Sequence, residues 1–374
     1  MIEISGAVPT DVVEPDTLDQ PTPEQRAAGV GSVAAHYGDP TREQRTLERA
    51  VGVVDRSHRG VLVVAGAERA SWLHSLTTQH VADLLAGQGT ELLVLSPNGH
   101  VEQHAMVAAD ADRIWLDTEP GRAGDLLGFL EKMRFLTRVE PSDVTADFAV
   151  LSLVGPEVDA ALAVLGVPTL AAAEVDPAPG PKFPAGTVRP GPTSRYAVAA
   201  LPAGGWARRG RLGVDLLVPR ADLASVVDTL AAAGVPACGL WAYEALRVAA
   251  RIARVGFETD HRTIAAEVDL LGPAVHLDKG CYRGQETVAR VHNMGRPPRR
   301  LALLHLDGVV SDTPPPRHAE VIAAEGRVVG FVGTAVRHHE LGMIALAVIK
   351  RNVPGDARLT VAGQAAAIDP GAGD

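Results

Sequence analysis

Thirty-eight glycines and 27 prolines cut the 374 residues of this chain into short apolar runs, so its fold is assembled from many short elements. Gly60–Ala65 (GVLVVA) reads as a buried strand, and Trp72, Leu73, Leu76, Val81 and Leu84 recur at helical spacing over 70–85, after a short helix at 45–51. Apolar runs at 91–95 and 101–108 flank Ser96-Pro97-Asn98-Gly99, and Asn-Gly between two such runs predicts a hairpin. A strand at 113–116 and a helix at 122–132 follow. From 147 the order is strand Phe148–Val154, helix 157–165, strands 196–201 and 213–217, and helix 222–233 ending at Gly234-Val235-Pro236. That β-α-β-β-α order is most of a ferredoxin-like unit, with the Pro/Gly-rich 177–192 as a loop inside it. A helix at 241–252 comes next. Beyond Arg296-Pro297-Pro298-Arg299-Arg300, short strands at 301–306, 320–323, 327–334, 342–348 and 358–361 imply a small antiparallel barrel or sandwich. Residues 1–40, with scattered prolines and acids, read as an N-terminal extension, extended and partly flexible.

Apolar residues make up 46% and charged residues 21%, which excludes disordered, collagen-like and coiled-coil classes for the bulk of the chain. Formal net charge is −10, which repels polyanions, so non-specific DNA binding is not expected and any nucleic-acid contact needs a local basic patch. Arg290, Arg296, Arg299 and Arg300 form such a cluster. A solvated linker and a surface for a carboxylate tail, phosphate or RNA backbone are both open for it. Two cysteines, Cys238 and Cys281, cannot build a disulfide framework; the acidic opening residues lack the apolar stretch of a signal peptide, and no uncharged run reaches the roughly 18 residues of a membrane span. The expectation is a cytoplasmic, reduced protein that does not enter membranes. No phosphate-binding loop, dinucleotide fingerprint, nucleophile elbow or zincin helix is present. The 13 histidines include an i, i+4 pair, His100 and His104, and the adjacent His338 and His339, but none supplies ligand spacing on one element, so no metal is expected.

One segment carries chemistry: Asp278-Lys279-Gly280-Cys281-Tyr282-Arg283-Gly284-Gln285-Glu286. Glycines on either side of the cysteine permit a tight bend, and a helix start at Gln285 places the thiol near a helix N-terminus. Lys279 and Arg283, each two residues away, favour the thiolate. Lys is otherwise rare, standing only at 132, 182 and 350. Cys281 is therefore either a reactive thiol or, like most cysteines, a small buried hydrophobe. Cys238, in an Ala/Val/Gly context, reads as core.

Lys279–Glu286 resembles the K-G-C-[FY]-x-G-Q-E signature of the YgfZ-type folate-binding proteins, a branch of the glycine cleavage T-protein (aminomethyltransferase-like) superfamily. Two further stretches are similar: Glu244–Ala250 (EALRVAA) to the family's helix ending R-[ILV]-E-[AS], and Leu95–His104 (LSPNGHVEQH) to its L-x-P-x-G-x-V hairpin. The resemblance implies an α+β, aminomethyltransferase-like folate-binding fold with a ferredoxin-like subdomain and a C-terminal small antiparallel β-barrel. The divisions it suggests are an extension at 1–40, a folate-binding domain in two segments, 41–145 and 237–297, a ferredoxin-like insert at 146–236 and the barrel at 298–374. It implies tetrahydrofolate as cofactor and a role in assembly or repair of iron–sulfur clusters in client proteins, and through tRNA-modifying cluster enzymes in tRNA modification. The alternatives are a one-carbon (aminomethyl) transferase acting on tetrahydrofolate and a tRNA- or protein-binding module built on the 290–300 arginines. Carried onto this chain, Cys281 is the reactive thiol and Lys279 its cationic partner, while Arg247, Tyr282, Gly284, Gln285 and Glu286 are cofactor-side residues. Two positions depart from the superfamily's pattern. Where the transferase branch has an aspartate in the hairpin's second strand, this chain has Glu102, Gln103 and His104; His104 is either a replacement general base or a solvent-facing histidine. The acid two residues after the arginine is Ala249, which removes a charge-assisted partner of a pterin edge unless another acid supplies it.

Overall fold

A computed structural model describes residues 6–10, 31–175, 194–294, 296–308 and 311–371. The expected extension lies mostly outside these residues, as does the 177–192 loop. The part of the extension that is described is not loose: Val8–Pro9 (β1) pairs antiparallel with Ala34–His36 (β2), and Val33 and Ala35 are fully buried. The Pro40–Arg49 helix (α1) then starts on an Asp39 cap, with proline in its first turn.

Two half-sheets merge into one. Gly60–Ala65 (β4), Gln88–Leu95 (β5), Val101–Ala109 (β6), Arg113–Thr118 (β7) and Glu140–Asp143 (β8) run in the order β5-β6-β7-β4-β8, with Arg69–Leu76 (α2) and Ala123–Lys132 (α3) packed on them around Leu62, Leu73, Leu116 and Leu126. The second half contains Gly52–Asp55 (β3), Phe148–Val154 (β9), Ser194–Ala200 (β11), Trp206–Arg209 (β12), Val214–Pro219 (β13) and Ala237–Cys238 (β14) in the order β14-β3-β9-β13-β12-β11, and Glu174–Val175 (β10) pairs with β11. Val158–Val164 (α4) and Leu223–Ala232 (α5) cover it, burying Leu153, Leu162, Leu216 and Leu230. The halves join where β11 pairs with β5 through Tyr196↔Gly89 and Ala197↔Gln88, giving a 12-stranded sheet. Gly89 permits the junction: a Cβ there would lie 2.5 Å from Val107 O.

Leu240–Ala249 (α6), Leu271–Ala274 (α7) and Gln285–Met294 (α8) lead into a closed six-stranded antiparallel barrel. Its strands are Arg299–Leu306 (β15), Glu320–Ala323 (β16), Val328–His338 (β17), Gly342–Lys350 (β18), Leu359–Val361 (β19) and Gln364–Ile368 (β20), and β20 closes on β15. The register of β17 slips between Val332 and Thr334 because Glu258 occupies the space beside Gly333, where a Cβ would sit 2.7 Å from the Glu258 carboxylate. No helix among the described residues is long and apolar enough to cross a membrane.

The expected hairpin forms, with Gly99 at φ +80° in its turn. The helix expected over 70–85 stops at Leu76: Thr77 turns extended and its hydroxyl donates to Leu73 O, while Thr78 exchanges hydrogen bonds with Leu93. Val81 and Leu84 still enter the core, from a turn. Substituting Leu346→Ala, on a fully buried β18 side chain in one apolar cluster with residues of β5 and α6, is expected to cost about 2–5 kcal/mol in urea unfolding. Leu85→Ala, on a side chain 64% exposed, should change stability by no more than about 0.5 kcal/mol.

Candidate functional site

The 278–286 segment bends between α7 and α8. Lys279 is buried, and its ammonium donates to the carbonyls of His74 in the last turn of α2 and of Thr77 and Gln79 just beyond it. Three donors meet three acceptors, so the contact to a Cys281 thiolate suggested by the sequence is not made. Lys279 is instead a post that pins the loop, and burial lowers its pKa to about 7. Gln285 Nε2 donates to Lys279 O at 3.1 Å and closes the bend. Gly284, at φ +81°, lies against the hairpin turn: a Cβ would fall 2.6 Å from Ser96 O and 2.9 Å from Gly99 Cα, while a Cβ on Gly99 would strike Thr287. Two sequence signatures are thus packed backbone to backbone, and Gly284 serves that packing. Arg283 pairs with Glu102 at 3.3 Å, which adds a side-chain tie between the same two segments. The Tyr282 ring is buried among apolar residues, with its hydroxyl unpartnered among the described residues. Cys281 is an exposed free thiol, and Glu286 is exposed on the first turn of α8. Cys238 is the buried core thiol expected, its pKa pushed up to about 12 by burial and the Glu43 charge.

A cavity of about 70 Å³ lies elsewhere, where β6, the β12–β13 turn, α6 and the loop after α6 meet. Its wall carries five arginines, Arg56, Arg59, Arg211, Arg247 and Arg254, against the carboxylates Glu119 and Asp215. Acids behind the wall balance them. Arg59 bonds Asp117 at 3.0 Å and Glu119 at 3.1 Å; Arg254 reaches Glu119 at 2.7 Å and Glu244 at 3.2 Å. Arg208, fully buried, bridges Asp117 at 2.7 Å and Asp215 at 2.8 Å, and Arg56 lies 4.4 Å above the Tyr243 ring. Burial alone would raise the Glu119 pKa, but Arg254 and Arg59 hold it below the usual carboxylate range.

His104 and Met106, two apart on β6, both face this cavity. His104 is buried and its Nε2 lies 2.8 Å from Glu91, which also accepts from Tyr196 Oη and pairs with Arg211 at 2.9 Å. A solvent-facing histidine is therefore ruled out. His100 lies on a different groove, beside Glu102. Arg247 lines the cavity, yet Glu244 (2.7 Å), Glu258 (3.3 Å), Ile252 O and Thr334 occupy its donors. Ala249 packs into an apolar cluster, and Glu258, fully buried, takes up a carboxylate position beside Arg247 with its oxygens bonded to Thr334 and to the amide of Arg254. One group of three possible metal ligands occurs among the described residues, Glu48, His339 and Glu340, and Arg49 is ion-paired to both acids.

Residues 33–279 match the model of the GCVT N-terminal domain family. The chain belongs to this family. Among its relatives, a protein of Arabidopsis thaliana named as a chloroplastic transferase is 26% identical over 327 residues, covering 85% of this chain and 69% of that protein. The aminomethyltransferase of Geobacillus kaustophilus is 29% identical over 337 residues, covering 87% and 86%. The crystal structure of glycine cleavage system aminomethyltransferase T from Bartonella henselae, 18% identical, superposes with a TM-score of 0.74 over 92% of this chain and 93% of that one, so the GCVT family member has that fold.

Sequence reading brought His104 and Arg247 to the cavity and Lys279, Gly284 and Gln285 into one loop, but it missed Arg56, Arg59, Asp117, Glu119, Arg208 and Asp215. The available signal was charge inside apolar runs: Asp55–Arg59 (DRSHR) is buried throughout between two strands, and Asp117 and Asp215 interrupt buried β-strands. Gly284→Ala is expected to destabilise by about 1–3 kcal/mol in urea unfolding, since a positive φ and a backbone contact both oppose it. Glu91 titrates at about 2 in the fold, where burial raises its pKa but Arg211 and His104 lower it further, against 4.5 as the reference. Its stabilising contribution is complete above the reference value and is lost as pH falls through the folded one. Thermal melts across that window should show a steep loss of stability that is shallower in Glu91→Gln.

Proposed function

We propose that this protein binds tetrahydrofolate in the arginine-walled cavity and displays Cys281 on its surface to support assembly or repair of iron–sulfur clusters in client proteins, and through them tRNA modification. The observation that carries the reading is the donor set of the cavity. Five guanidiniums and two carboxylates on one wall, held in place by acids behind them, suit a ligand with an oxo-bearing ring and an anionic glutamate tail that exchanges some of those ion pairs for its own; Glu119 and Asp215 face the cavity as partners for the amino edge of a pterin, and Tyr243 is an aromatic wall. These residues fit a reduced folate, which when bound would supply one-carbon-carrying nitrogens. A bicyclic ring exceeds about 70 Å³, so entry requires a wall to move, and the half-buried, unbranched Met106 is the adaptable side chain there. Cys281 is not on the cavity wall, so folate binding and thiol chemistry are separate sites. A single cysteine contributes one cluster ligand at most, which places any cluster on the client. Free thiols and an accessory role of this kind fit a cytoplasmic setting.

The second reading, a one-carbon transferase, is favoured by one observation: His104 faces the cavity and is oriented by Glu91, the arrangement of a general base with its positioning acid. An assay for methylenetetrahydrofolate formation from aminomethyl donors separates the readings, because the accessory role predicts no turnover.

Met106→Trp is expected to weaken tetrahydrofolate binding at least tenfold in equilibrium titration without lowering the melting temperature. Cys281→Ser should bind tetrahydrofolate like the wild type yet fail to restore iron–sulfur enzyme activity in cells lacking the protein. Full restoration by Cys281→Ser would remove the thiol from the account.

A further inference from the structure

The arginine cluster around the junction of α8 and the barrel divides in two. Arg299 is neutralised by Asp260 at 2.7 Å and Glu267 at 2.8 Å. The side chain of Arg300, a residue only 9% exposed, makes one hydrogen bond among the described residues, a long one of 3.4 Å to Val353 O. It faces the same groove as Arg296 and Arg351, a space of about 280 Å³ lined on one side by the turn Asn352-Val353-Pro354-Gly355. No acid lines that groove, and none of the three arginines has a carboxylate within ion-pair distance among the described residues. Arg351 acts electrostatically on Asp269 but forms no ion pair with it among the described residues. Elsewhere in this acidic chain, arginines gathered in one place are interleaved with acids, as around the central cavity. Three guanidiniums converging without a counter-charge repel one another, and a shared anion relieves that repulsion.

We infer that this groove binds a phosphate-bearing small ligand, a phosphomonoester or diphosphate. Planar guanidinium forks match phosphate oxygens in pairs, and a doubly charged group can engage three of them where a carboxylate offers two oxygens and one charge. The groove has room for one or two phosphate groups. A nucleic-acid backbone would need a track of cations along the surface, whereas these three line one groove. The site lies on the barrel side of the molecule and shares no lining residue with the central cavity.

Calorimetric titration of the full chain with inorganic phosphate and with pyrophosphate, at low and at physiological salt, tests the site. Saturable one-to-one binding is expected, tighter for pyrophosphate if the ligand is a diphosphate and equal for the two if a single phosphate group is read. Arg351→Gln and Arg296→Gln, both on accessible side chains, should each weaken it about tenfold or more at unchanged melting temperature. Absence of saturation overturns the inference. So does binding that both variants leave intact, which would locate the anion among the cavity arginines, and so does a single-stranded RNA that outcompetes pyrophosphate with a salt slope of several charges.

Discussion

The structure depends on a buried lattice of arginine and carboxylate side chains at the meeting point of its two half-sheets. Asp117 on β7 and Asp215 on β13 are bridged by Arg208 on β12, and Arg59, between β3 and β4, ties Asp117 to Glu119. Arg254 carries the connection onward to Glu244 on α6. Withdrawing this many ions from water costs several kcal/mol each, and removing one partner strands another, typically at about 3–5 kcal/mol. A hydrophobic core of the same volume would hold the sheets together at less cost. What the lattice provides instead is a wall of fixed, oriented donors around a cavity, which is the property a binding site for a polar ring and an anionic tail requires.

The second constraint is the contact of the hairpin turn with the loop bearing Cys281. Gly99 and Gly284 approach too closely for any side chain, Lys279 ties the same loop to the end of α2, and Gln285 closes it. Every polar group of Lys279 and Gln285 seen in these bonds acts on backbone. The loop therefore holds an exposed thiol in a fixed place, and its conspicuous residues serve that placement more than they serve a ligand.

Much of this was legible in the sequence, and the parts that were not have physical reasons. Alternating and continuous apolar runs gave β4, β9 and the β5–β6 hairpin, because a buried strand needs little beyond that pattern. β8 escaped because Glu140-Pro141-Ser142-Asp143 is polar and proline-bearing, which only an edge strand tolerates. β20, with its small alternating Gln-Ala-Ala-Ala-Ile, owes its state to barrel closure and not to propensity. At the site, Lys279 was conspicuous by rarity and indeed buried, but its partners are carbonyls 200 residues or more away in the chain, beyond local reading. The cavity arginines went unseen for the same reason: pairing across β3, β7, β12 and β13 is a product of topology, and in one dimension each arginine looks like a solvated charge.

The most direct test of the account is hydrogen exchange followed by mass spectrometry, with and without saturating tetrahydrofolate. If the arginine-walled cavity holds the folate, amides in the β12–β13 turn at 210–215 and in 243–254 become protected, and those of 279–286 exchange as before. Protection confined to 279–294, or none anywhere, would contradict it.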